Sequence, residues 1–338
     1  MKKPVLPRLA VAAFAGAILV ATIAFWASLN KIDSDPTPDP IKVGFVEVGI
    51  SGLMVELIKE SALYQNSAVR VSFTAFNSPI ALNNALVAGQ IDVALATGAN
   101  TVAKMRETSH DVKYFFPNVL NSVSLLTEKT SGLSSIEDLE GKKIGWYGLQ
   151  TSGGTGLFLI LKDMGYSPLE DFSFIEAKPP TLPPMLTRGD VDAIIVFEPF
   201  VSRLLSTGRY NEVIGPFWKV WREKYDVPLE LSGFAAYDQW LTEHTHEARQ
   251  LVSMWIESVR IFKSNPEEAL ELNSRFTGID TEEAIALATA RFPAILVDSW
   301  RNIDLAIRDV QELLFRNDIY YFAQPEGVIR KIAPTDTP

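Results

Sequence analysis

One stretch of this chain is written twice. Residues 83–98 read Asn-Asn-Ala-Leu-Val-Ala-Gly-Gln-Ile-Asp-Val-Ala-Leu-Ala-Thr-Gly, and residues 183–198 read Pro-Pro-Met-Leu-Thr-Arg-Gly-Asp-Val-Asp-Ala-Ile-Ile-Val-Phe-Glu. Leu86 matches Leu186, Gly89 matches Gly189 and Asp92 matches Asp192, each at a spacing of 100 residues. Lys42-Val43-Gly44-Phe45 and Lys143-Ile144-Gly145-Trp146 form a second echo at a spacing of 101. Each long copy runs from a helical apolar stripe through a glycine and an aspartate into an apolar run. Glycine ends a helix because it takes the left-handed conformation cheaply. A short β-rich run after it reads as a buried strand. Two similar α/β lobes account for the repetition most simply. A chance likeness between ordinary strand–helix–strand units is the competing account.

The rest of the pattern agrees with an alternating α/β chain. Strands are expected at Ile41–Val46, Val69–Phe73 and Ile91–Ala96, then at Lys143–Tyr147, Phe172–Ile175 and Val191–Val196. Helices are expected at Ser51–Tyr64, at Pro79–Val87 with proline in the first turn, and at Gly154–Gly165. The last third reads as helical. One stripe is Val252, Trp255, Ile256, Val259 and Phe262, and another is Ile303, Ala306, Ile307, Val310 and Leu314. Such stripes predict core contacts rather than cofactor contacts. The aromatics Trp146, Tyr147, Trp218 and Trp221 are equally suited to stacking on a ring or to filling a core.

The amino terminus bears on compartment. Lys2, Lys3 and Arg8 precede an uncharged apolar run from Leu9 to Leu29, and Asp33, Asp35 and Asp39 follow it. Basic before and acidic after places the body outside the cytoplasm. The run is long enough to span a bilayer and long for a signal peptide. A hydrophobic helix is expected there, either cleaved or kept as an anchor. The Pro-rich segment to Pro40 reads as a linker.

Several chemistries are excluded. There is no cysteine, so disulfides, zinc–thiolate sites and thiol catalysis are absent. The net charge of -10 argues against nucleic-acid binding. Of three histidines, His244 and His246 are two apart and would face different sides of a helix, so no metal site is expected. No nucleophile elbow, His-Glu-x-x-His or Walker A loop is present. The chain is therefore read as non-enzymatic, with no cofactor.

In open α/β sheets, guests sit beyond the carboxyl ends of strands, near helix starts. The loops at those places are Glu47–Gly52, Asn77-Ser78-Pro79, Thr97-Gly98-Ala99-Asn100 and Gly148–Gly156. The last is rich in glycine and hydroxyls before a helix. Its amides and the helix dipole would favour an anion, while Ser152 or Thr155 could equally be a plain N-cap. Glu198-Pro199 lies at the matching place in the second repeat. Its carboxylate suits an amine or ring N–H, or simply the next helix dipole.

These residues resemble a known family. Ile41–Phe45, the Asn83–Gly98 segment, Ser135–Ile144 with its Asp-Leu-x-Gly-Lys-Lys-Ile pattern, Gly189–Ala193 followed by Phe197-Glu198-Pro199-Phe200, and Leu313–Ile319 are together similar to solute-binding proteins of alkanesulfonate, taurine and nitrate importers. The wider superfamily includes binders of thiamine pyrimidine precursors. The resemblance implies a type II periplasmic-binding fold, α/β with two lobes, a hinge and an inter-lobe cleft. Lobe one would be 41–128 plus 232–338, and lobe two 129–231, with 1–40 as signal or anchor and linker. It implies an exported, monomeric binding component working with an ABC permease in the cytoplasmic membrane. Carried over residue by residue, the ligand contacts would be Glu47, Val48 and Gly49, Asn77 and Ser78, Thr97, Gly98 and Ala99, Thr151, Ser152 and Gly153, and Glu198. This chain departs from the sulfonate binders. Their lobe-two loop often carries a lysine where it has Leu149-Gln150, and their Trp-Asp step is Phe197-Glu198. Two acids without an obvious base fit a zwitterion or a neutral heteroaromatic compound better than nitrate. The other readings are an enzyme of the thiamine-pyrimidine synthase type, which the missing cysteines disfavour, and a membrane-tethered ligand sensor.

Overall fold

The computed structural model describes residues 39–317, 319 and 325–335. The expected hydrophobic helix at Leu9–Leu29 and most of the proline-rich linker lie outside the described residues. Among the described residues no helix is long and apolar enough to cross a membrane.

Ten strands are formed among the described residues: β1 (Ile41–Val46), β2 (Val71–Phe76), β3 (Val93–Thr97), β4 (Val112–Leu120), β5 (Ser124–Glu128), β6 (Lys143–Trp146), β7 (Ser173–Glu176), β8 (Ala193–Val196), β9 (Tyr210–Ile214) and β10 (Glu230–Tyr237). They make two five-stranded sheets, ordered β2-β1-β3-β10-β4 and β7-β6-β8-β5-β9. In each sheet the first three strands are parallel and the last two are antiparallel to their neighbours. The two sheets therefore share one topology. The chain leaves the first sheet after β4 for β5 of the second, and returns from β9 to β10. In each sheet the fourth strand, β10 or β5, is the one the chain forms directly after a crossover.

The helices that matter below are α1 (Ile50–Glu60), α2 (Pro79–Val87), α3 (Ala99–Glu107), α4 (Ser152–Asp163), α5 (Leu182–Arg188), α6 (Phe200–Ser206), α7 (Phe217–Tyr225), α8 (Thr245–Ser264), α9 (Glu282–Ile295) and α10 (Ile303–Arg316).

The repeated segment does the same structural job in both halves. Gly89 and Gly189 follow α2 and α5 with φ of 67° and 74°, in open space where a side chain would meet nothing but backbone strain. Asp92 accepts from the Lys42 amide at 2.8 Å, and its own amide donates to the Lys42 carbonyl at 2.8 Å. Asp192 makes the same pair with Lys143, at 2.9 and 2.8 Å. Each aspartate thus ties the start of β1 or β6 to its neighbour and sets the register. Gly44 and Gly145 explain the shorter echo. A Cβ on Gly44 would lie 2.6 Å from Leu82 of α2 and 2.5 Å from Ile91, and one on Gly145 2.8 Å from Leu182 of α5. The missing side chain lets the helix lie on the sheet. Gly44→Val and Gly145→Val are each expected to destabilise the fold by about 1–3 kcal/mol through overpacking, read as a lower urea midpoint at unchanged slope.

Three expectations need correction. The single helix expected at Ser51–Tyr64 breaks at Ser61, which adopts an extended backbone and accepts from the Tyr64 amide at 3.2 Å, capping a short second helix. Ser124–Glu128, placed in lobe one from sequence, hydrogen-bonds between β8 and β9 of the second sheet. The first crossover is therefore Asn121–Val123, and the return ends at Leu229. Finally, residues 232–338 do not all pack on the first sheet. Ile303 and Ile307 of α10 join the first core, whereas Val310 and Leu314 of the same helix join the second. The expected stripe on α8 is buried in the first core, Ile256 partly so.

Candidate functional site

The two crossovers meet at Asn121, which is fully buried. Its amide donates to the Leu229 carbonyl at 2.8 Å, its carbonyl accepts from the Trp218 amide at 2.9 Å, and its side-chain Nδ2 donates to the Ser152 carbonyl at 3.0 Å. One asparagine thus joins both connections to the start of α4.

Above this knot two helix starts from different sheets come together. Gly98 caps α3 without a side-chain bond, and Thr151 caps α4 through its Oγ1, which accepts from Gly154 at 3.0 Å. A Cβ on Gly98 would lie 2.1 Å from the Ser152 Oγ and 3.1 Å from the Leu231 carbonyl. Only glycine permits this approach of the two halves. Beside it lies a small cavity lined by Asn100, Ser152, Thr155, Glu230, Ala306 and Val310, with space for about one water. Ser152 is 7% exposed, and its Oγ has no hydrogen-bond partner among the described residues.

Glu230, at the start of β10, is the charged group of this cavity. It is 4% exposed. One carboxylate oxygen accepts from the Ala99 amide at 3.0 Å, and the other from the Tyr114 hydroxyl at 3.4 Å. Burial pushes its carboxyl up to about 7, against the pull of those two donors. Burial likewise raises the Tyr114 phenol well above its ordinary range. Among the described residues no cation pairs with Glu230.

The structure sorts the residues singled out from sequence into three groups. Gly98, Ala99 and Ser152 converge as described. Thr97 is buried beside them but donates its hydroxyl to Asn83 at 2.8 Å, and Gly153 lies under the Tyr147 ring. Gly49 takes φ of 132°, and its missing Cβ would lie 3.8 Å from Phe197 and 4.0 Å from Pro199, so the first loop also faces the second half. Glu47 and Val48 next to it are exposed. Asn77 is exposed, and Ser78 is engaged as the cap of α2, accepting from Ala81 at 3.2 Å.

Glu198 stands apart. Its carboxylate bonds the Arg291 Nε at 2.5 Å and the Ser202 amide at 3.0 Å, so it is matched inside the protein. Burial raises its carboxyl, while Arg291 and Ser202 oppose that. Arg291, on α9, also reaches both oxygens of Glu212 on β9, at 3.2 and 2.9 Å. The base that the sequence reading did not find is this arginine, brought from 93 residues away. The candidate stacking aromatics are largely engaged too. Trp146 stacks on Phe174 and Trp221 lies against Tyr225, both with ring centres 4.3 Å apart, and the Arg222 guanidinium covers Trp218 at 4.8 Å. Sequence reasoning missed Asn121, Glu230 and Arg291. A lone acid between Leu229 and Leu231 at the head of an apolar strand was the available signal for Glu230; Asn121 and Arg291 carried none.

Among the described residues no group of His, Asp or Glu is placed to hold a metal ion. Two helix starts facing each other over a buried polar pocket are suited to binding a small polar molecule.

Comparison with known proteins agrees with that geometry. The alkanesulfonate-binding protein from Xanthomonas axonopodis pv. citri, solved with MOPS bound, superposes with a TM-score of 0.70 at 16% identity, over 87% of this chain and 99% of its own. The periplasmic nitrate-binding protein from Synechocystis PCC 6803 gives a TM-score of 0.64 at 13% identity, over 86% of each chain. The taurine-binding periplasmic protein of Escherichia coli (strain K12) is 26% identical over 175 residues, which are 49% of this chain. That match spans about half the length of the relative, 53%. These likenesses establish a periplasmic-binding-protein fold of two α/β halves. With residues 34–276 also matching the model of the NMT1-like family, the chain belongs to that family.

Proposed function

We propose that this chain is the extracytoplasmic solute-binding component of an ABC importer, capturing a small organic solute such as an aliphatic sulfonate or a taurine-like compound. It acts without catalysis, as a monomer, and hands its guest to a permease in the cytoplasmic membrane. It is periplasmic, either soluble or held by the apolar run near its amino terminus. The observation that carries this reading is the meeting of the α3 and α4 starts, from different sheets, at Gly98 and Ser152. Two lobes joined by two crossovers can part and close by hinge motion. The pocket between them has space for about one water, so a solute enters only as the lobes part. Gly98, Ala99, Thr151, Ser152 and Gly153 are the central contacts in this proposal, with Glu47–Gly49 and Ser78 at the rim. Engagement of the tryptophans in the cores speaks against a heteroaromatic guest.

A thermal-shift screen of sulfonates, aminosulfonates, nitrate and pyrimidines tests the reading. A true ligand at 100 times its dissociation constant adds about 2.7 kcal/mol to the folded state. Stabilisation by a sugar or a metal, with none by these compounds, would show the ligand class to be wrong. Ser152→Arg places a long charged side chain between the helix starts. It is expected to weaken binding by at least about tenfold while the lobes stay folded, a loss of about 1.4 kcal/mol or more. Unchanged affinity would mean the site lies elsewhere.

A further inference from the structure

The amides at the start of α3 are the natural seat for an anion, because an α-helix leaves its first N–H groups unpaired and carries positive partial charge there. In this protein that seat already holds one: Glu230 accepts from the Ala99 amide at 3.0 Å. The carboxylate reaches it from β10, since the first turn of α3 has no acid of its own. Its other partner is the neutral Tyr114 hydroxyl, and among the described residues no cation faces it. Glu198 cannot play this part, because Arg291 and Ser202 already match it. The first turn of α4, across the seam, contains no acid. Ser152 at its start keeps a buried Oγ without a partner among the described residues, in the same cavity as Glu230.

Taking the solute-binding reading as its ground, we propose that Glu230 selects the charge of the guest. The end of the solute that reaches α3 carries an ammonium, the acidic end faces the start of α4, and Ser152 bonds the guest between them. The reason is electrostatic. A second anion brought against a carboxylate of 4% exposure meets repulsion that little water screens. An ammonium supplies the counter-charge that the described residues do not, and a charge-assisted hydrogen bond with it. A carboxyl pushed up to about 7 by burial fits an acid still lacking that partner.

The experiment uses pairs of probes that differ only in the amine. Taurine is compared with ethanesulfonate, and β-alanine with propionate, by titration calorimetry on the full chain at pH 8, above the value of about 7 to which burial lifts the Glu230 carboxyl. The amine member of a binding pair is expected to be tighter by about 10- to 100-fold, the worth of one charged hydrogen bond. In Glu230→Gln, which keeps the shape and can still accept from Ala99, that preference is expected to shrink to within about threefold, or under 1 kcal/mol. Cooperative unfolding of the variant confirms that it folds, and the preference in the unaltered chain stands independently of it. Equal binding within a pair, a preference for the amine-free member, or an undiminished preference in Glu230→Gln overturns the role given to Glu230 and leaves the importer reading intact. Absence of binding by all four probes overturns both.

Discussion

Replacing Arg291 by alanine is expected to cost the folded protein about 3–5 kcal/mol, the usual loss when one partner of a buried ion pair is removed. The Arg291 side chain is 19% exposed and the Glu198 side chain only 1%. Arg291 belongs to α9, whose Ala288 and Phe292 lie in the first core. Glu198 and Glu212 belong to the second half, and Glu212 is itself held by the Ser124 hydroxyl at 2.6 Å. Without Arg291, Glu198 keeps the Ser202 amide but loses its counter-charge in a water-poor setting. Most of the loss is the penalty of that stranded charge, so Glu198→Gln in the Arg291→Ala background is expected to restore part of it. Chemical unfolding of the two single variants and the double variant forms a cycle that isolates the pair. A loss below about 1 kcal/mol in Arg291→Ala would place the contact with exposed ion pairs of little energetic consequence. Because the contact joins the two halves, its loss is also expected to favour their separation, visible as a larger radius of gyration in solution scattering.

Between pH 5 and 8 the chain is expected to lose stability as pH rises, and Glu230→Gln is expected to remove much of that slope. Burial lifts the Glu230 carboxyl from the ordinary 4.5 to about 7. Between those values the folded form holds a proton that the unfolded chain has already released. The contribution of this group is therefore fully present below about 4.5 and is lost as pH climbs through 7. Its full size is on the order of 3 kcal/mol, from about 1.4 kcal/mol per pH unit. Glu198, also raised, acts in the same direction, whereas the lowered carboxyls of Glu212, Asp111 and Asp298 act in the opposite sense at more acid pH. The informative quantity is thus the difference between parent and variant. Urea midpoints across the range should diverge, with the glutamine variant the more stable at pH 8. Parallel curves would show that Glu230 is ionised in the folded state at ordinary pH, with solvent or a cation reaching it.

Much of the architecture was readable because it is local. The period of apolar residues marked most of β1–β3 and β6–β8 to within two or three residues, and the glycine–aspartate repeat exposed the duplication. The strands that were not recognised share a cause. β4 contains Pro117, β5 lies where the resemblance had drawn a boundary, and β9 and β10 alternate too weakly to stand out. All four sit on the antiparallel side of their sheets, where register comes from partners 68 to 143 positions away rather than from neighbours.

The candidate site divides along the same line. Helix starts at Ala99 and Ser152 follow from loop composition, because amide exposure and capping are properties of a few consecutive residues. The charge at each start is a property of space. Sequence alone put a free acid at Glu198 and found no base. Folding brings Arg291 to Glu198 and Glu230 to Ala99, 93 and 131 positions away. Local pattern determines where chain ends and turns expose polar groups; the distances that decide which of those groups are already satisfied exist only once the two sheets have closed on each other.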